Sequence, residues 1–166
     1  ERARAEAQAA LGGAPAAGAG HLAGAPYLRQ VIEEAMRLYP PVGLLARNVR
    51  APDILAGREV LPDDIVFLPI YALHRHRMWW DAPDAFDPDN FAPERTAGRD
   101  RYLHIPFGAG PRICVGANFA MMQAQIILTT LLARFSFAHG AGPLPMPTMS
   151  MTLRPDSGVR LRVTAL

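Results

Sequence analysis

The sequence predicts a mainly α-helical protein with small β-sheets. Three stretches point to that class. Apolar residues recur at spacings of three and four between Pro26 and Leu38, short apolar runs alternate with turn signals from Leu44 to Ile70, and a long apolar segment runs from Ala117 to Arg134.

Taken in order, Glu1 to Ala10 reads as the end of a helix. The following LGGAPAAGAGHLAGAP is so rich in Gly, Ala and Pro that residues 1–25 are expected to end in a mobile connector, with residues 26–166 forming one domain portion. Pro26 is placed to open the next helix, whose inward residues are Leu28, Val31, Ile32, Ala35 and Leu38, and Pro40 and Pro41 close it. The segment 44–70 is punctuated by APD, AGRE and LPDD, which predicts three or four short strands joined by tight turns. From Tyr71 to Asp100, repeated Asp, Pro and aromatic residues predict an irregular packed meander anchored by Trp80, Phe86 and Phe91. The helix 117–134 is apolar on nearly all sides and is expected to be buried. At the C-terminus, Val159, Leu161 and Val163 alternate with polar residues after an Asp-Ser-Gly turn, which predicts a half-buried terminal hairpin.

Composition narrows the function classes. At 166 residues and 50% hydrophobic, the chain holds one domain's worth of material. The net charge of +2 comes from arginine alone, with no lysine, and is too small and dispersed for a nucleic-acid footprint. The first residues lack a methionine and an apolar signal core, so the chain is expected to be a piece of something larger. The most apolar run, Ala120 to Ala133, is too short to span a bilayer.

A single cysteine, Cys114, excludes an internal disulfide, a four-cysteine zinc site and a CxxC pair. It leaves an inert thiol, a nucleophile or a lone metal ligand. Cys114 stands just before the helix 117–134, where free N–H groups and the positive end of the helix dipole favour an anionic sulfur. Gly108, Gly110 and Gly116 let the backbone approach a flat, bulky partner, and Arg112 adds a cation nearby. An axial heme ligand is the leading case of one soft protein ligand, because the porphyrin supplies the other four.

Read as F-x-x-G-x-R-x-C-x-G, Phe107 to Gly116 resembles the heme-binding signature of the cytochrome P-450 family. Glu34 and Arg37 in EEAMR resemble the family's E-x-x-R pair, and FDPDNFAPER resembles its meander motif. The resemblance runs from about Pro26 to the C-terminus and implies the C-terminal part of that fold: E-x-x-R helix, small sheet, meander, cysteine loop, buried helix and terminal hairpin. It implies heme held by Cys114, with Phe107, Gly108 and Gly116 of the same loop also binding the cofactor. Arg47, Arg112 and His104 are implied to face the heme carboxylates, and Arg95 to join Glu34 and Arg37 as scaffold. Arg77, Ala82 and Thr96 depart from the meander pattern. His74 and His76 are expected to be structural.

The implied parent activity is insertion of one oxygen atom from dioxygen into a small apolar substrate. Electrons are expected from a ferredoxin, flavodoxin or reductase. The arginine-only, alanine-rich composition suggests a soluble, cytoplasmic, bacterial-type member. The alternative expectation is a non-catalytic fragment that binds heme weakly or not at all, because the segments forming the distal pocket are absent. Only the loop PLPMPTMSM is expected to reach toward a substrate.

Overall fold

Helical structure begins at Arg2 in the computed structural model, which describes residues 1–166. Helix α1 (Arg2–Leu11) stops at Gly12, whose φ of 56° is the left-handed conformation that closes a helix. Within the connector, Ala19–Gly24 forms a 3-10 turn. Helix α2 (Pro26–Leu38) follows with proline in its first turn, as its sequence predicts.

The N-terminus of α2 has no side-chain cap of its own, and α1 supplies one. Both carboxylate oxygens of Glu6 accept hydrogen bonds there, from the amides of Tyr27 at 2.9 Å and Leu28 at 2.7 Å. A carboxylate on free N–H groups at the positive end of a helix is a strong arrangement. Glu6→Ala is therefore expected to lower stability by about 1–2 kcal/mol, read as a lower urea midpoint, with Glu6→Gln recovering part of the loss.

Segment 44–70 forms four strands, paired as two antiparallel ribbons. β1 (Leu45–Asn48) pairs with β4 (Ile65–Leu68), setting Arg47 opposite Val66. β2 (Asp53–Leu55) pairs with β3 (Arg58–Val60) around a two-residue turn, Ala56 and Gly57, both at positive φ. The meander carries the short helices α3 (Ile70–Leu73) and α4 (Pro93–Thr96) and 3-10 turns at Pro88–Phe91 and Arg101–Leu103. Trp80 and Phe91 are its buried anchors, whereas Phe86, expected to be a third, is exposed.

Helix α5 (Ala117–Arg134) runs into β5 (Phe135–His139). Met121, Gln125 and Thr129 form its buried edge, one turn apart, and Leu128, Leu132 and Ala133 pack on Ala7, Ala25 and Leu28. The helix is not buried all round, as its composition suggested: Phe119, Ile127 and Leu131 are exposed on its outer side. No helix is long and apolar enough to cross a membrane.

The C-terminus also differs from the expected local hairpin. β6 (Pro147–Met149) pairs with β7 (Leu153–Pro155), and β8 (Leu161–Ala165) returns to pair with β5, setting Val163 opposite Phe137. Leu161 and Val163 are exposed rather than half-buried. Alternation correctly marked the strand, but it carries no information about which strand is the partner.

The β6–β7 ribbon is fastened to the segment after α2. The Leu153 amide donates to the Pro41 carbonyl at 2.8 Å, and Met149 fills the notch left by the missing side chain of Gly43. A methyl group at Gly43 would overlap Met149 Cε.

Candidate functional site

The site rests on a buried ion pair in α2. Glu34 and Arg37 are one turn apart and fully buried, joined through Arg37 Nε to Glu34 Oε2 at 2.7 Å and Nη2 to Oε1 at 2.8 Å. Arg37 also donates to three carbonyls, those of His74, Pro83 and Ala85. All five guanidinium N–H groups are thereby engaged, which is what makes a buried cation tolerable. Glu34 additionally accepts from the Asp87 amide at 2.8 Å and Asn90 Nδ2 at 3.2 Å.

Arg95 does not join this pair. Its Nη1 bonds Asp87 Oδ2 at 2.9 Å in an exposed bridge and reaches Asn90 Oδ1 at 3.5 Å. The turn Asp87–Asn90 lies between Arg95 and Glu34, so the first half of FDPDNFAPER docks on the carboxylate and the second half braces it from outside. Asn90 is thus a scaffold residue that the sequence reading missed. Nothing distinguishes a structural Asn from a turn Asn until its partner is seen.

A hydrogen-bond path leads from this scaffold to the cysteine loop. Arg37 holds the His74 carbonyl, His74 Nε2 accepts from the Ile105 amide at 2.9 Å, and the Ile105 carbonyl accepts from the Gly108 amide at 2.9 Å. Accepting at Nε2 places the His74 proton on Nδ1. The Cys114 amide then donates to the Phe107 carbonyl at 2.9 Å, closing the loop. Gly108 (φ 74°) and Gly110 (φ 72°) turn it through the left-handed region, where a side chain is strained. Leu45 packs against Gly108.

His104, implied by the resemblance to face a heme carboxylate, is turned inward instead. Its ring packs against His74, with centroids 5.0 Å apart, and against Phe91 at 4.5 Å. Burial lowers its pKa to about 3, and that of His74 to about 4. A neutral imidazole stacked in apolar surroundings offers a carboxylate no charge. His104 does border a cavity of about 330 Å³ that includes Gly108 and Ile113.

Cys114 is a free, exposed thiol immediately before α5. Four amides around it, those of Val115, Gly116, Asn118 and Phe119, donate no hydrogen bond within the protein. Ile113, Val115 and Phe119 form an exposed apolar surround. An anionic sulfur at a helix N-terminus suits such donors, and an apolar surface left in the open suits a flat apolar partner.

Arg47 and Arg112 lie 65 positions apart in sequence yet line one cleft of about 740 Å³, together with Arg50, Leu45, Ala46 and Asn48. A neighbouring cavity of about 490 Å³ shares Leu45 and Arg47 and adds Tyr102, Ile105, Ala109 and Gly110. Arg47 thus joins the apolar walls of one cavity to the guanidiniums of the other, and Arg112 stands two residues before Cys114. No group of three or more His, Cys, Asp or Glu could bind a bare metal ion. The residues instead fit a metal that brings its own equatorial ligands and carries carboxylates for arginine, which is the chemistry of heme.

A fold of this order, with a cysteine loop held by a buried Glu–Arg pair, defines a class of heme-thiolate scaffold. The chain belongs to the cytochrome P450 family, whose sequence description it matches over residues 1–163 and whose cofactor is heme. The match takes in residues 1–25, beyond the stretch that carried the resemblance. Rat "Cytochrome P450 4B1" is 37% identical over 146 residues, 87% of this chain and 29% of its own length. Pig "Taurochenodeoxycholic 6 alpha-hydroxylase" is 34% identical over 164 residues, 98% of this chain and 32% of its own length. "Cytochrome P450 monooxygenase alnD" of Emericella nidulans is 39% identical over 115 residues, 69% of this chain and 21% of its own length. The chain thus spans about a third or less of these relatives.

Proposed function

We propose that this chain is the heme-holding portion of a cytochrome P450 monooxygenase, with residues 1–25 leading into it. The observation that supports the reading most is the exposed Cys114 thiol just ahead of α5, flanked by unengaged amides and two residues after Arg112, which lines a cleft together with Arg47. When bound, a thiolate-held heme supplies activation of dioxygen and insertion of one oxygen atom into a small apolar substrate.

The chain's own residues hold and orient the group. Cys114 Sγ would be the residue that holds the group through its sulfur, and the free amides at the α5 N-terminus would face that sulfur. Arg47 and Arg112 would hold the carboxylates of the group, and Leu45 and Ile105 would supply an apolar wall beside it. Glu34 and Arg37 keep the loop in register through His74 and Ile105.

Electrons are delivered by an acidic ferredoxin, flavodoxin or reductase that docks through exposed arginines away from the carboxylate cleft, a reading supported by the all-arginine cation set. The hydroxylase and monooxygenase names of two relatives support the reaction class. The composition supports a cytoplasmic, bacterial-type enzyme.

The reading is tested by adding hemin to the chain, reducing it and exposing it to carbon monoxide. The unaltered chain is expected to give the Soret position of a thiolate complex, and Cys114→Ser to lose it. A Soret band at the histidine-ligated position, unchanged in Cys114→Ser, would remove the assignment. Because Cys114 is exposed, the substitution is expected to change folding stability by less than about 0.5 kcal/mol.

A further inference from the structure

The cleft that contains Arg47 and Arg112 holds a third guanidinium, Arg50, to which neither motif nor resemblance assigns a role. Three observations set it apart. No Asp or Glu lines the cleft, so three cations face it without an internal counter-charge. None of the three makes an ion pair anywhere in the protein, although six other arginines do. Outside the cleft, Asp64 at the start of the β4 side accepts from the Leu61 amide at 2.9 Å, and Asp100, which lines the neighbouring cavity with Arg47, accepts from the Tyr102 amide at 2.8 Å without forming an ion pair.

The backbone at Arg50 is held in place. Ladder pairing continues past Asn48, with the Val49 amide donating to the Asp64 carbonyl at 2.9 Å and the Asp63 amide to the Val49 carbonyl at 3.3 Å. Arg50 therefore extends from the end of a paired strand rather than from a free loop. Arg47 has meanwhile turned one Nη1 donor onto its neighbour's carbonyl, Ala46 O, at 2.8 Å. That leaves part of its fork unavailable to a ligand. Like charges gathered without a counter-ion repel one another, and an anion seated among them relieves that repulsion.

We infer that Arg50 is a third positioning cation for the heme carboxylates, acting with Arg47 and Arg112 from the end of β1. This rests on the heme reading above. It assigns to the chain three guanidiniums for two carboxylates, and makes uptake of the group partly electrostatic and sensitive to salt.

The test compares hemin with its dimethyl ester, in which both carboxylates are neutralised, as probes titrated into the full chain and followed by absorbance. Arg50→Gln is expected to weaken hemin binding about fivefold at low salt, to leave the Soret position unchanged, and to leave dimethyl-ester binding unchanged. Arg58→Gln, on exposed β3 outside the cleft, is the control and is expected to match the unaltered chain for both probes.

Equal binding of hemin by the Arg50→Gln chain and the unaltered chain would overturn the inference while leaving the heme reading intact. So would an equal loss for hemin and ester, since Arg50 would then act through folding and not through the carboxylates. Failure of the unaltered chain to take up either probe would overturn the heme reading and this inference with it.

Discussion

Replacing Arg37 by alanine is expected to cost about 3–5 kcal/mol, a large fraction of the 5–15 kcal/mol that holds a typical domain together. The size follows from what the substitution strands. Glu34 remains fully buried with its principal counter-charge gone, and the carbonyls of His74, Pro83 and Ala85 each lose a donor. Arg37→Lys is expected to fail almost as badly, because one ammonium cannot reach a bidentate carboxylate and three carbonyls together. Urea unfolding followed by tryptophan fluorescence provides the measurement, since Trp80 is buried and the Arg37 guanidinium carbon lies 4.8 Å from its ring centroid. Arg95→Ala is the contrast: its bridge to Asp87 is exposed, and the loss is expected to stay below about 1 kcal/mol. An equal loss in the two variants would contradict the placement of Arg95 outside the buried pair.

Acid is expected to loosen the same region through the stacked histidines. Burial, the largest cause for both, lowers His74 to about 4 and His104 to about 3, against an ordinary value of 6.5. Nearby guanidiniums act in the same direction: Arg37 and Arg75 on His74, and Arg99 and Arg37 on His104. Since each folded value lies below the unfolded one, the unfolded chain binds more protons once the pH drops under about 6.5. The stabilisation from neutral imidazoles is therefore complete above that pH. It is lost progressively down to about pH 4 for His74 and pH 3 for His104.

Together the pair is expected to account for roughly 3–6 kcal/mol of acid sensitivity. His104→Phe separates this effect from the titration of carboxylates. Phenylalanine keeps an aromatic ring between His74 and Phe91 and gives up only the imidazole's hydrogen bond to the Glu33 backbone, since Nε2 of His104 has no partner. The slope of stability with pH between 6 and 4 should then flatten by about 1.4 kcal/mol per unit, one proton's worth. An unchanged slope would mean that His104 is already protonated in the native protein. His74→Phe is expected to be costlier even at neutral pH, because it removes the acceptor that holds the Ile105 amide.

Much of this architecture is legible before any coordinates. Pro26 and the apolar spacing behind it announce α2, and turn residues at APD, AGRE and LPDD announce the strands of segment 44–70. The glycine-flanked cysteine ahead of an apolar helix announces the loop. These signals are local: a proline, a positive-φ glycine or a helical repeat acts within a few residues of itself. The errors share a different origin. Arg95 was expected at Glu34, where Asn90 and the Asp87 amide stand. A half-buried terminal hairpin was expected where β8 crosses back to β5. Each depends on a partner distant in the chain.

By itself the sequence determined that a lone sulfur would be presented by a glycine-rich turn at the mouth of an apolar helix, and that a Glu and an Arg would share a face of α2. Only the tertiary structure decided that Arg47, Arg50 and Arg112 would open onto one cleft, that His74 would relay the position of Arg37 to the cysteine loop, and which strands would pair. The physical reason is that backbone conformation and helical periodicity are short-range properties written residue by residue. The meeting of charges and rings from remote segments is settled instead by how packing, desolvation and hydrogen-bond satisfaction are met across the whole fold at once.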